Sequence, residues 1–211
     1  MRRAREHRLV DCAGVVLTGG SSRRLGFDKA TVLVGDETLA ARAARVLGSV
    51  CSPIVEVGPG HSGARAVREE PPGSGPLAGL LAGVDALGTD SAVLLGCDLV
   101  RVEAPVLALL AGWDGAASVM PLAGGVPQLV CARYGADALA VARRRFAAGE
   151  RSLRALLEEV AFDLVPEAEW RTVGGADAFV DLDTPDDLVR LGLRAPGPSG
   201  ASDHATGDQS R

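Results

Sequence analysis

Residues 15–29 read V-V-L-T-G-G-S-S-R-R-L-G-F-D-K, and the fold follows from how that stretch is interpreted. Val15, Val16 and Leu17 form a short apolar run closed by glycine, the pattern of a buried strand. The chain then enters a loop where Gly19, Gly20 and Gly26 let the backbone approach a ligand closely. Arg23, Arg24 and Lys29 add positive charge to the same loop. Backbone N–H groups at a tight turn, ringed by cations, make a cavity suited to a polyphosphate.

Two common phosphate motifs are excluded by spacing. A Walker loop needs glycine, four residues and then Gly-Lys-Ser/Thr, whereas Phe27 and Asp28 separate Gly26 from Lys29. No G-x-G-x-x-G is present in the loop either. What remains, G-G-x-x-x-R-L-G-x-D-K, resembles the signature loop of nucleotidyltransferases that activate small molecules with a nucleoside triphosphate.

A chain of 211 residues suits one well-buried α/β domain and is short for two. Its 47% hydrophobic share, with 3% aromatic, predicts an aliphatic core. The net charge of -5 gives no bulk attraction to nucleic acid or to an anionic membrane, and no apolar run reaches spanning length. Residues 1–10 are expected to be a disordered basic lead, residues 11–194 the folded domain, and residues 195–211 a disordered polar tail. Cys12, Cys51, Cys97 and Cys131 never form C-x-x-C, so no zinc site or redox pair is expected and each reads as a small buried residue. With no signal-peptide apolar region after the lead, a cytoplasmic location is inferred.

Further along, 31–34 reads as a brief extended piece, Thr38 as the cap of a helix ending at Gly48, and 53–57 as a second buried strand. In 68–79, R-E-E-P-P-G-S-G-P-L-A-G, Gly73 and Gly75 leave the backbone exposed, and Pro76 can open a helix running to Gly88. A planar base can lie on such a loop, so it is assigned to base recognition. Residues 92–96 form an apolar strand ending in Cys97-Asp98. A carboxylate at the end of a buried parallel strand lies where α/β sheets bind ligands, and Asp98 is assigned as a Mg²⁺ ligand.

In the second half, 105–110 is predicted helical, 116–120 a strand, 121–127 a Gly/Pro hairpin-like connection, 128–132 a strand and 134–148 a helix with a solvated arginine face at 143–145. Ser152 caps a further helix, and 162–165 and 179–182 are read as the last strands. Thr184, Pro185 and Asp187 make a capping box for the final helix, which accounts for those residues but not for Asp181 or Asp183. Asp183 is assigned as a second metal carboxylate beside Asp98.

Four segments in this order, 17–29, 70–79, 96–98 and 181–188, resemble the molybdenum cofactor guanylyltransferase family. The likeness implies a single three-layer Rossmann-like α/β domain, with a mostly parallel sheet flanked by helices and a GTP site along the strands' carboxyl ends. It implies that Leu17, Thr18, Gly19 and Gly20 hold the nucleotide, that Lys29 contacts phosphate and that Asp98 binds Mg²⁺. Gly75, Pro76, Leu77 and Gly79 match a G-P-L-A-G segment associated with guanine rather than cytosine. The chain departs from the pattern at Thr18, where the commonest opening is L-A-G-G, at Glu70, where Asp is usual, and at Asp181 and Asp183, which replace an N-x-N. No Asn stands near Gly58.

The activity so implied is transfer of GMP from GTP to the phosphate of molybdopterin with release of pyrophosphate. Lys29, Arg24 and Asp98 would be its catalytic residues, Arg24 by holding the pyrophosphate. Cytidylyl transfer to molybdopterin, guanylyl transfer to another small phosphorylated metabolite, and a nucleotide-binding adaptor without turnover are the alternatives. Expected partners are the two substrates, with the chain a monomer or weak homo-oligomer in contact with molybdoenzyme-assembly proteins, and neither nucleic acid nor membrane among them.

Overall fold

The computed structural model describes residues 12–19 and 25–196. The expected disordered lead lies outside the described residues, as does the expected tail apart from Ala195 and Pro196.

The first strand, β1 (Ala13–Leu17), is buried along its length except at Leu17, as its apolar run requires. Beyond the glycine loop, a 3-10 turn (Lys29–Thr31) leads into the short strands β2 (Leu33–Val34) and β3 (Glu37–Thr38) and then helix α1 (Leu39–Gly48). The extended piece expected at 31–34 is therefore shorter, because the Asp28 carboxylate accepts a hydrogen bond from the Ala30 N–H and coils the chain there. Thr38 caps α1 as predicted, its hydroxyl oxygen accepting from the Ala41 N–H at 3.1 Å.

Strands β4 (Ile54–Val57) and β5 (Ala66–Val67) follow, then helix α2 (Pro76–Leu87), strand β6 (Ala92–Gly96) and helix α3 (Ala104–Ala111). The second half contains β7 (Val119–Ala123), β8 (Val126–Pro127), β9 (Cys131–Tyr134), α4 (Ala136–Ala147), a 3-10 turn (Leu153–Glu158), β10 (Asp163–Val165), α5 (Glu167–Trp170) and α6 (Pro185–Leu191).

The main sheet has the order β10-β7-β9-β6-β1-β4-β5, with β8 folded back on β7. Strand β9 runs against both its neighbours, while β1, β4, β5 and β6 are mutually parallel and β10 parallels β7. The chain builds β4 and β5 on one side of β1 and then crosses to lay β6 on the other. Such a reversal opens a crevice at the carboxyl ends of the two strands that flank it, here β1 and β6.

Alternation along β1 divides the core into two layers. Val16 packs with Leu47 of α1 and Leu107 of α3 on one face, and Val15 with Leu80 of α2 and Leu139 of α4 on the other. Helix α2 lies close on β1 because Gly79 has no side chain: a Cβ there would stand 2.8 Å from Leu17 Cδ2.

The strands of the second half are displaced from their predicted positions. Arg133 donates to the carbonyls of Ala111, Trp113, Ala116 and Ala117, which holds 111–117 as irregular chain and delays the strand expected at 116 to Val119. Residues 121–127 form the expected hairpin-like connection, the end of β7 folding back as β8, while the strand expected at 128–132 starts later, as β9. Tyr134, placed in the following helix by pattern, ends β9 with its ring fully buried and its hydroxyl donating to Leu129 O at 2.6 Å.

No strand forms at 179–182. Phe179 is drawn edge-on to Trp170, 4.8 Å between ring centres, and the segment makes only one bridge, Asp181 to Leu99. The arginines at 143–145 form the expected solvated face, paired with Asp85, Glu158 and Glu159.

The cysteine reading needs one correction, because Cys12 and Cys51 form a disulfide. The chain enters β1 beside the end of α1, which brings together two residues 39 apart in sequence. Cys97 and Cys131 are free and buried as expected, and burial pushes the Cys131 thiol up to about 12. The cytoplasmic inference was drawn from the missing signal-peptide apolar region, and a disulfide is uncommon in a reducing cytoplasm, so the bridge weighs against it. Among the described residues no helix is long and apolar enough to cross a membrane.

Closing a loop of this size restricts the unfolded chain and is worth roughly 3–4 kcal/mol. Reduction, or Cys51→Ser, is accordingly expected to lower Tm by about 6–16 °C, read by calorimetry with and without reductant. Equal Tm values would show that the bridge contributes nothing in solution.

Candidate active site

Leu17, Val57 and Gly96 stand abreast in register at the carboxyl edge of β1, β4 and β6. Just past that edge the three chain segments are stitched together. The N–H groups of Thr18 and Gly19 both donate to Val57 O, at 3.1 and 3.3 Å, and Cys97 N–H donates to Leu17 O at 3.0 Å. The glycine loop and the acidic strand end therefore leave the sheet side by side, at its switch point.

Lys29 returns to this edge from the far end of the loop, on the 3-10 turn that Asp28 caps. Its Nζ lies 2.6 Å from Asp98 Oδ2 and 3.5 Å from Asp183 Oδ1. Asp98 is held by the turn closing β6, in which Leu99 N–H donates to Gly96 O. Leu182 N–H donates to Asp98 O at 3.2 Å, which brings the segment before α6 onto the same turn. There the capping box keeps the chain in place, Thr184 accepting from Asp187 N–H while the Asp187 carboxylate accepts from Thr184 N–H. Three segments distant in sequence thus converge on one ammonium group.

The electrostatics follow from partial burial. Lys29 and Asp98 side chains are 19% and 24% exposed, and Asp183 is 51% exposed. Burial lowers the Lys29 pKa, but the Asp98 carboxylate, with Asp183, outweighs it and carries the group above its ordinary value. Asp181 is shifted up, by partial burial first and by the neighbouring Asp183 charge second. The site therefore has a fixed cation among carboxylates of excess negative charge, which a bound cation would relieve.

Of the residues singled out from sequence, Leu17, Thr18, Gly19, Lys29, Asp98 and Asp183 gather at this edge. Gly79 touches it through Leu17. Gly75, Pro76 and Leu77 form the N-terminal turn of α2, where Leu77 N–H donates to Arg151 O at 3.3 Å and Gly79 N–H to Gly75 O at 3.1 Å. Leu77 is fully buried, backbone included, and its N–H is already given to Arg151 O, so a ligand at this turn would meet the exposed Pro76 and the partly exposed Gly75 instead. Glu70 is exposed and forms no hydrogen bond or ion pair among the described residues. Arg24 and Gly20 lie outside the described residues.

One residue escaped the sequence reading. Glu56, in the middle of β4, is fully buried and accepts from the Thr18 hydroxyl and from the N–H groups of Gly60, His61 and Ser62. Burial alone would raise its pKa; the hydrogen bonds from Ser62 and Thr18 more than reverse this and hold it down to about 2. The signal was a carboxylate in an otherwise apolar strand, which the apolar average of 53–57 concealed.

Among the described residues no three His, Cys, Asp or Glu side chains gather as a metal cage. Asp98 and Asp183 place two hard carboxylates at this edge, the donor type that small divalent ions take alongside phosphate oxygens and water.

Residues 14–164 match the family described as the MobA-like NTP transferase domain. The chain is 34% identical over 190 residues to a probable molybdenum cofactor guanylyltransferase of Chloroflexus aggregans, covering 83% of this chain and 91% of that one. A protein of the same description from Opitutus terrae is 38% identical over 177 residues, covering 75% and 87%. Among solved structures, molybdopterin-guanine dinucleotide biosynthesis protein A from Archaeoglobus fulgidus superposes with a TM-score of 0.72 at 24% identity, over 84% of this chain and 95% of that one, a likeness of fold. With residues 14–164 matched, and with these two relatives above 30% identity over 83% and 75% of the chain, it belongs to the MobA-like NTP transferase family.

Proposed function

We propose that the chain transfers GMP from GTP to the terminal phosphate of molybdopterin and releases pyrophosphate. The observation that carries this reading is the 2.6 Å contact of Lys29 with Asp98, which joins the glycine turn and the acidic strand end into one place able to handle phosphate charge. The substrate pair is drawn from the relatives named as probable molybdenum cofactor guanylyltransferases.

The acceptor is a phosphate monoester with a second pKa near 6, so its attacking oxygen is ionised at neutral pH and no general base is required. That fits a site whose one described histidine, His61, faces Asp28 at 3.3 Å. The acceptor oxygen forms a bond to the α-phosphorus of GTP; the bond from that phosphorus to the bridging oxygen breaks, and pyrophosphate leaves with the electron pair. Catalysis of this kind rests on alignment and charge neutralisation. Lys29 offsets charge at the α-phosphate, Arg24 holds the departing pyrophosphate, and Leu17, Thr18, Gly19 and the Gly75, Pro76, Leu77 turn hold the guanosine. Asp98 and Asp183 would hold Mg²⁺, which when bound neutralises phosphate charge at the reacting centre.

The test supplies Mg²⁺, molybdopterin and either GTP or CTP and measures pyrophosphate. GTP is expected to support turnover and CTP to give less than about a tenth of its rate, the discrimination available to a site with base-specific hydrogen bonds. Equal use of CTP overturns the guanine assignment, and no pyrophosphate from either overturns the transfer.

A further inference from the structure

We propose that Glu56 is a positioning residue for nucleotide binding, which fixes both ends of the glycine loop at once. The inference deepens the reading of that loop as the triphosphate site and rests on it.

A carboxylate with no exposed surface is costly unless donors surround it. Those of Glu56 come from two directions, neither of which β4 needs as a strand, since Ile54, Val55, Glu56 and Val57 keep register with β1 through backbone alone. Oε1 accepts from Thr18 Oγ1, where the chain enters the glycine loop. The same oxygen accepts from Gly60 N–H at 2.8 Å and His61 N–H at 3.0 Å, and Oε2 accepts from Ser62 N–H at 2.7 Å. These three bonds shape the turn after β4 and thereby place the His61 ring.

That ring closes the circuit. His61 Nε2 lies 3.3 Å from Asp28 Oδ2, and Asp28 caps the turn that carries Lys29, where the chain leaves the glycine loop. One buried side chain therefore grips residue 18 directly and residue 28 through the turn it organises. Gly58 makes the grip possible: its backbone passes so close that a Cβ would stand 2.1 Å from Thr18 Oγ1. The hydroxyl belongs to Thr18, the position at which this chain departs from the L-A-G-G opening, so the departure acquires a partner.

Without the brace the loop would still fold back to Asp98 through Lys29, but its ends would have to be ordered when the nucleotide binds. Ordering is paid equally in the bound ground state and in the transition state, so it raises Kd and KM while kcat changes less.

The experiment compares the whole chain with Glu56→Gln, Thr18→Val, Thr18→Ser and the double variant Thr18→Val/Glu56→Gln. It measures Tm, the Kd of GTP·Mg²⁺ by titration calorimetry, and steady-state kcat and KM. Glu56→Gln and Thr18→Val are each expected to raise Kd and KM about tenfold or more, with kcat changed less. Thr18→Ser, which keeps the hydroxyl, recovers most of the loss seen in Thr18→Val. The double variant is no worse than Glu56→Gln, as expected for two groups in one bond. If Glu56→Gln does not fold, the nearly isosteric Thr18→Val decides. Lower Tm with unchanged Kd and KM overturns the proposal, leaving Glu56 a merely structural residue. A wild-type chain that binds GTP but releases no pyrophosphate overturns the proposed transfer, while the Kd series still decides this one. No GTP binding by the wild type overturns both.

Discussion

Asp98→Asn is expected to lower kcat for GMP transfer by about a thousandfold or more while leaving the fold in place. Asparagine keeps the volume and one oxygen, so the turn closing β6 survives: its bonds, Leu99 N–H to Gly96 O and Leu182 N–H to Asp98 O, are made by backbone. What disappears is a formal charge at the point where the loop cation and the proposed metal meet. Lys29 would keep Asp183 at 3.5 Å, an exposed and longer contact that cannot hold it as the 2.6 Å contact does. Pyrophosphate release at saturating GTP, with circular dichroism and Tm on the same sample, checks both halves. A variant that retained more than about a tenth of wild-type kcat would remove Asp98 from the catalytic set, since loss of a group that meets transition-state charge costs far more than that.

The reason a single charge carries so much lies in the topology. Asp98 ends the strand on one side of the sheet reversal, and the glycine loop leaves the strand on the other. Neither element has a phosphate site alone. Their adjacency was implied only by the family resemblance, while each was legible by itself, because an apolar run, a glycine turn and a second apolar run ending in aspartate are local patterns. The same holds for Thr38 and for the Thr184–Asp187 box, where side chain and backbone bond within four residues. Local chemistry of this kind can be read residue by residue.

Features decided by contacts between remote segments could not be. Arg133 displaces β7 by reaching four carbonyls across the sheet edge, and no pattern within 116–120 contains that information. The Cys12–Cys51 bridge depends on where α1 returns beside β1, whereas spacing in sequence suggested two unrelated thiols. Asp183 was noticed as a spare carboxylate, yet its approach to Lys29 depends on the single bridge between Leu99 and Asp181, in a segment whose pattern suggested a strand. Glu56 was overlooked for a related reason: its partners come from the loop before α1 and the turn after β4, so its role exists only once the sheet has formed.

Lys29→Met should be the second large effect, a loss of about a hundredfold to a thousandfold in kcat, with an accompanying change in stability that identifies its cause. Methionine keeps an unbranched apolar stem in the partly buried slot but removes the ammonium. Asp98 and Asp183, which now share that cation at 2.6 and 3.5 Å, would then face one another with Asp181 nearby. Like charges so close destabilise the turn that carries them, so Tm should fall in metal-free buffer. Added Mg²⁺ should restore more of Tm in Lys29→Met than it adds to the wild type, because it replaces a cation that the variant has lost. Activity should not return with it, since no group is left to offset charge at the α-phosphate from the loop side. Single-turnover pyrophosphate release and Tm with and without Mg²⁺ separate the two effects. If kcat stays within about tenfold of wild type, the ammonium makes no catalytic contact with the phosphate, and its place between the two aspartates is an ion pair that holds three chain segments together and nothing more.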